Sequence, residues 1–224
     1  MRKTKWVWGE YAGLVCLFFM LISLAIAITI NFRFLYELDI KYLNILDHTT
    51  LDQETLLKNF DQLMAYLNNP FQKELSLQNF PISTSGAHHF YEVKKLFLLN
   101  YFVLLLTLIP SIYYLFYLKR HKRFWRLVQP FKIGMLVPIV FGFFMLVGFD
   151  RFFILFHETF FNNDDWLFDP TTDPIINVLP EQFFMHSFIL FFILIELFFA
   201  FFVIIGICDH WKKRAKKKLK SNIE

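Results

Sequence analysis

Two histidines stand where chemistry at a membrane surface would need them. His89 precedes a long apolar run by a few residues, and His157 follows another by about two helical turns. If the second run continues as a straight helix, His157 lies ~12 Å beyond it at 1.5 Å per residue. Both imidazoles then fall in the outer interfacial layer. Each can gain or lose a proton near neutral pH, so one could serve as acid and the other as base for a reaction on a lipid headgroup or ester. The plainer alternative is that these two of the 7 histidines are hydrogen-bonding surface residues of the interface.

Neighbouring residues divide in the same way. Glu92 is three residues after His89, on the same helical face, and Asp150 is seven before His157, two turns along one face. Each could orient its imidazole or be an ordinary surface charge. His88 points about 100° away from His89 on a helix and is less favoured. Glu196 is the one ionisable group deep in its apolar run. It lies ~15 Å below the outer end, far from where ester bonds reside, and reads as a protonated or paired structural carboxyl. Asp164, Asp165, Asp169 and Asp173 could collect a hard cation with a histidine. Their Asn-Asp and Asp-Pro contexts are also ordinary turn chemistry. The sequence contains no H-E-x-x-H helix, G-x-S-x-G elbow, Walker loop or dinucleotide fingerprint, and His157-Glu158 lacks a zincin's second histidine. No cofactor and no metal are expected.

The elements that position these residues follow from composition. A chain of 224 residues that is 56% hydrophobic, with 32 phenylalanines and a mean hydropathy of +0.44, has too little polar surface to wet a globule. Four runs suit the ~20 helical residues that cross a hydrocarbon core. They place spans at about 7–31, 95–118, 133–149 and 187–208. The first is too long for a signal-peptide core and is expected to be retained. Most of the 23 Lys and Arg cluster in three places: Arg2, Lys3 and Lys5; Lys119 to Lys132; and Lys212 to Lys220. The positive-inside rule puts 1–6, 119–132 and 209–224 in the cytoplasm, with 32–93 and 150–186 outside, where most of the acidic residues lie. The basic side suits anionic lipid rather than nucleic acid. Cys16 and Cys208 sit at different depths, so no disulfide is expected between them.

The outer segments predict a small helical cap. Thr50 and Gln53 form a capping-box pattern before a run of apolar residues at helical spacing, which predicts an amphipathic helix over 51–67 ended by Asn68-Asn69-Pro70. Its apolar face needs cover from the bilayer, the other outer segment or a lipid substrate. A weaker helix is predicted over 34–46, and an interfacial helix over 150–161. The fold class is all-α: a polytopic membrane protein of four transmembrane helices with a small extracellular helical cap, one membrane domain over 1–224.

Several motifs carry a resemblance: His89-Phe90-Tyr91-Glu92-Val93-Lys94, Phe156-His157-Glu158-Thr159-Phe160-Phe161, Asp165-Trp166, Asp169-Pro170, Asp173 and Leu179-Pro180-Glu181-Gln182-Phe183-Phe184. With the four-span layout, the chain resembles the lipoprotein intramolecular transacylase family of Gram-positive bacteria over nearly its whole length. At the place of Glu92 that family more often has Asp, which keeps the charge. The resemblance implies a plasma-membrane acyltransferase that moves the sn-2 acyl chain of a diacylglyceryl N-terminal cysteine to its own α-amino group. Its partners would be a diacylated lipoprotein and membrane lipid. It implies His89 and His157 as the acid/base pair, with Glu92 and Asp150 as possible supports. Trp166 Nε1 or nearby backbone N–H groups would be candidates for oxyanion stabilisation. The competing readings are a non-enzymatic accessory or sensor protein, and metal-dependent lipid hydrolysis.

Overall fold

In hydrocarbon a backbone must satisfy its own polar groups, and a continuous apolar run does so by coiling into a helix. The computed structural model describes residues 8–221, with side chains through Trp211. Arg2, Lys3 and Lys5 lie outside the described residues, as do the side chains of Lys212 to Lys220. Among the described residues the chain is all-helical: α1 (Trp8–Ile30), α2 (Arg33–Tyr42), α3 (Gln53–Asn68), α4 (Thr84–Arg120), α5 (Val128–Val147), α6 (Phe149–Phe160) and α7 (Glu181–Ser221), with short 3-10 turns between them. Four helical stretches are long and apolar enough to cross a membrane: Trp8–Ile30, Thr84–Arg120, Phe124–Val147 and Glu181–Trp211. Large apolar side chains on them, such as Leu105, Ile109, Ile112 and Phe116 of α4, are exposed at helical spacing, the face a lipid solvent would cover.

The residues fall into two compact units. One holds the chain up to Ala25, Val103–Phe143, and the chain from Phe191 on. Its core is Leu17 and Leu21 of α1, Tyr114 and Leu118 of α4, Phe131 of α5, and Ile195, Phe199 and Phe202 of α7. Phe18 stacks on Phe131 with ring centroids 4.5 Å apart. Glu10, in the first turn of α1, is buried against Arg126 and lies 2.8 Å from Arg123.

The other unit comprises Ile26–Phe102 and Phe144–Leu190. Here α3 turns Leu56, Phe60, Leu63 and Leu67 toward Tyr36 and Ile40 of α2, Phe90 of α4, and Ile175 and Val178 of the second connecting segment. Tyr36 stacks on Phe60 at 4.1 Å and its hydroxyl donates to the Val178 carbonyl at 2.8 Å. Protein, including that second segment, therefore covers the apolar face of α3. The helix begins two residues later than the capping-box pattern suggests. Asp52, not Thr50, is its N-cap, accepting from the Thr55 N–H at 2.8 Å. The predicted helix over 34–46 is shorter: α2 ends at Tyr42 and Ile45–His48 is a 3-10 turn.

One difference bears on the candidate site. The third apolar helix does not run straight on to His157. Gly148, with φ −151 and ψ 63, interrupts it, and α6 is a separate helix. The ~12 Å extrapolation, which assumed an unbroken rise per residue, does not apply.

Candidate active site

His89 lies in the second turn of α4, so its position depends on how that helix starts. Ser83 Oγ accepts from the Gly86 N–H at 2.9 Å. Asp173, 90 residues away in sequence and 2% exposed, accepts from the Ser83 N–H at 2.7 Å and from Thr172 Oγ1 at 2.8 Å. The carboxylate packs so closely over Gly86 that a Cβ there would run into Asp173 Oδ1. Glycine is required by this close approach.

His157 lies in the last turn of α6. Its Nδ1 is 2.7 Å from the Phe153 carbonyl one turn earlier. A carbonyl only accepts, so Nδ1 carries the proton and, in the neutral ring, Nε2 carries the lone pair. The two imidazole centroids are 5.7 Å apart, with the rings inclined by 34°. Both side chains are buried, at 7% and 8% exposure. His89 Nδ1 is buried with no hydrogen-bond partner among the described residues.

Aromatic rings wall the pair. Phe161 and Phe168 meet His89 edge-on at 4.8 and 5.5 Å. Trp166 stacks on His157 at 4.6 Å with 26° between the planes, and Phe153 lies 4.2 Å from the same ring. Removal from water disfavours the imidazolium. Burial, with His157 adding to it, pushes His89 down to about 4, against the opposing pull of Glu92 and Asp165. Burial also lowers His157, and the Phe153 carbonyl opposes it. Both rings are therefore neutral at physiological pH.

The two carboxylates singled out in the sequence do not hold these imidazoles by hydrogen bonds. Glu92 Oε2 accepts from Asn163 Nδ2 at 2.9 Å, and Oε1 is 3.6 Å from Lys95 Nζ, so its effect on His89 is electrostatic. Asp150 is exposed in the first turn of α6, and a backbone carbonyl holds the His157 ring instead. Trp166 is in face contact with His157. His88 turns away from its neighbour and pairs with Asp165, Nδ1 to Oδ2 at 2.6 Å. Among the described residues no three His, Cys, Asp or Glu side chains gather as a metal site. Asp169 instead accepts from the Thr171 N–H at 2.8 Å. Glu196, in the other unit, has a buried Oε1 with no hydrogen-bond partner among the described residues. Asn163, whose amide joins Glu92 to the backbone of Asp165, was not foreseen. In the sequence it is one member of an Asn-Asn-Asp-Asp turn.

Known proteins share this arrangement of helices. The in meso structure of the membrane-integral lipoprotein intramolecular transacylase Lit from Bacillus cereus is similar with a TM-score of 0.83 and 28% identity, over 92% of this chain and 96% of that one. The same protein with a histidine replaced by arginine has a TM-score of 0.80 at 28% identity, over 93% of each chain. With a histidine replaced by alanine, the values are 0.80 and 28%, over 92% of this chain and 94% of that one. No curated protein matches significantly. The family described as lipoprotein intramolecular transacylase Lit matches residues 11–184, a stretch that includes both histidines and their aromatic walls. The chain belongs to the lipoprotein intramolecular transacylase family, a family of membrane-integral transferases.

Proposed function

We propose that the protein moves the sn-2 acyl chain of a diacylglyceryl N-terminal cysteine to the α-amino group of the same cysteine, leaving a lyso-form lipoprotein. The observation that carries this reading is the buried pair of neutral imidazoles, one of which presents a defined lone pair at His157 Nε2. The reaction forms an N–C bond, breaks the ester C–O bond to glycerol, and moves one proton from nitrogen to the glycerol oxygen. An α-amine with a pKa of about 8 attacks only after losing a proton, and the departing oxygen needs one.

His157 is the base in this scheme. Its tautomer leaves Nε2 free to accept, and the Phe153 carbonyl then stabilises the imidazolium through Nδ1–H. His89 takes the proton over and yields it to the departing oxygen. A ring whose pKa is about 4 holds a proton weakly and donates it readily. Both rings end neutral, as they began. Nucleophile and ester belong to one molecule, so the protein chiefly folds that headgroup into attack geometry and excludes water. No acyl-enzyme is needed. Glu92 favours the transient charge on His89, Trp166 holds the plane of His157, and Asp150 stays peripheral. With the basic clusters in the cytoplasm, segments 32–93 and 150–186 are extracellular and the histidines lie at the outer leaflet.

The test is conversion of a diacylated reporter lipopeptide by the purified protein, read by mass spectrometry. His89→Ala and His157→Ala should each abolish formation of N-acyl, monoacylglyceryl cysteine while the protein stays in the membrane. Undiminished product from both variants would refute the mechanism, and free fatty acid as the main product would indicate hydrolysis. A pH sensor, by contrast, would need an imidazole that titrates near neutrality, and burial moves both away from it.

A further inference from the structure

The segment that carries Phe161, Trp166 and Phe168 over the histidines is built of turns rather than helix. Its internal backbone bonds are local, such as Leu167 N–H to the Asp164 carbonyl at 3.0 Å. Two side-chain clasps tie it to α4. Asn163 Nδ2 donates to Glu92 Oε2 at 2.9 Å, and Asp165 Oδ2 pairs with His88 Nδ1 at 2.6 Å. The clasps are coupled, because Asn163 Oδ1 also accepts from the Asp165 N–H at 3.1 Å. On α4 they attach at residues 88 and 92, one turn apart on a shared face. His89 lies between these two attachment points in the sequence, with Phe161 and Phe168 edge-on against its ring.

We infer that Asn163 is a positioning residue for the acyl transfer: its amide latches the aromatic cover onto α4 and so keeps both imidazoles out of water in their working geometry. The inference rests on the functional reading above. An amide suits the position because it offers a donor to one partner and an acceptor to the other. An aspartate of the same shape would set a carboxylate against Glu92, and the latch would open. The charged and titratable groups that bear on His89 here are His88, Glu92, Asp165 and His157, with Lys95 paired to Glu92. Replacing Asn163 by the neutral leucine removes the amide without adding a charge, so a change in His89 titration in that variant reports the cover.

The experiment uses the full-length protein in lipid nanodiscs. Asn163→Asp is expected to lower kcat/KM for a diacylated lipopeptide by ~10- to 100-fold, the scale of a small misplacement of reacting groups. In Asn163→Leu, which removes the amide without adding charge, admission of water should also raise the pKa of His89 by a unit or more, read by NMR of ring-labelled histidine. The double variant Asn163→Asp with Glu92→Gln reverses donor and acceptor across the same contact and should recover at least half of the kcat/KM loss of Asn163→Asp, expressed logarithmically. A folded Asn163→Leu protein with unaltered histidine titration overturns the inference, and so does a double variant that does not recover kcat/KM. The NMR titration needs no turnover, so it judges the latch separately. Failure of the wild type to convert lipopeptide would count against the functional reading alone.

Discussion

Acid should slow this protein later than it slows an ordinary histidine enzyme, and the structure says by how much. His89 is walled by Phe161 and Phe168, and burial holds it at about 4 against an ordinary 6.5. That difference corresponds to about 3 kcal/mol against the imidazolium. At pH 5.5 a ring with an ordinary pKa would be about ten-to-one protonated, while the buried ring is protonated roughly once in thirty molecules. The substrate amine contributes its own limb, because free amine falls about tenfold per pH unit below a pKa near 8. The plot of log kcat/KM against pH should therefore rise with a slope of one through pH 6.5, with no break there. It should steepen only below that value, by one for each free-enzyme histidine that protonates.

The assay is initial conversion of a diacylated lipopeptide at limiting concentration, quantified by mass spectrometry between pH 4.5 and 8. A slope of two beginning at pH 6.5 would mean solvated imidazoles and would refute the argument. Stability shifts in the same sense. A depressed folded pKa gives a contribution that is complete above pH 6.5 and lost as pH falls toward 4, so the fold should weaken by about 3 kcal/mol across that window.

Other perturbations have equally definite outcomes. Asp173→Ala strips a charged acceptor from the buried start of α4 and should cost about 1.5–3 kcal/mol, read as a lower Tm; an unchanged Tm would remove that cap from the account. Gly86→Ala should lower Tm too, because the added methyl meets Asp173 Oδ1. Glu10→Ala removes the carboxylate that Arg123 and Arg126 share and should destabilise by about 3–5 kcal/mol in thermal unfolding; a wild-type melting curve would contradict it. Trp166→Phe should keep conversion within about tenfold of wild type, because an aromatic face remains against His157; a loss of 100-fold or more would assign the indole N–H to the oxyanion instead. Burial penalises the Asp39 carboxylate more than His186, 2.8 Å away, favours it, so the group is raised above the usual carboxylate range. Asp39→Asn should preserve or raise Tm at pH 7, and a lower Tm would show that the charge is needed.

Composition and periodicity by themselves determined the all-helical membrane class, because hydropathy over ~20 residues and apolar spacing along one helix are local properties of the chain. They also singled out His89 and His157 from seven histidines, by their nearness to the ends of apolar runs. Local patterns misplaced the cap of α3 by two residues, since both Thr50 and Asp52 can accept the same kind of bond and only the backbone conformation chooses. They also leave open whether the third apolar run continues straight to His157, and Gly148 breaks it. What only the tertiary structure decided is which groups serve the histidines. The helical registers of Glu92 and Asp150 allow either an orienting carboxylate or an ordinary surface charge, and in the fold Glu92 is held by Asn163, 71 residues away, while a backbone carbonyl holds His157. Burial and the choice of hydrogen-bond partner depend on segments that meet only in the folded chain, and with them the protonation state of the two imidazoles.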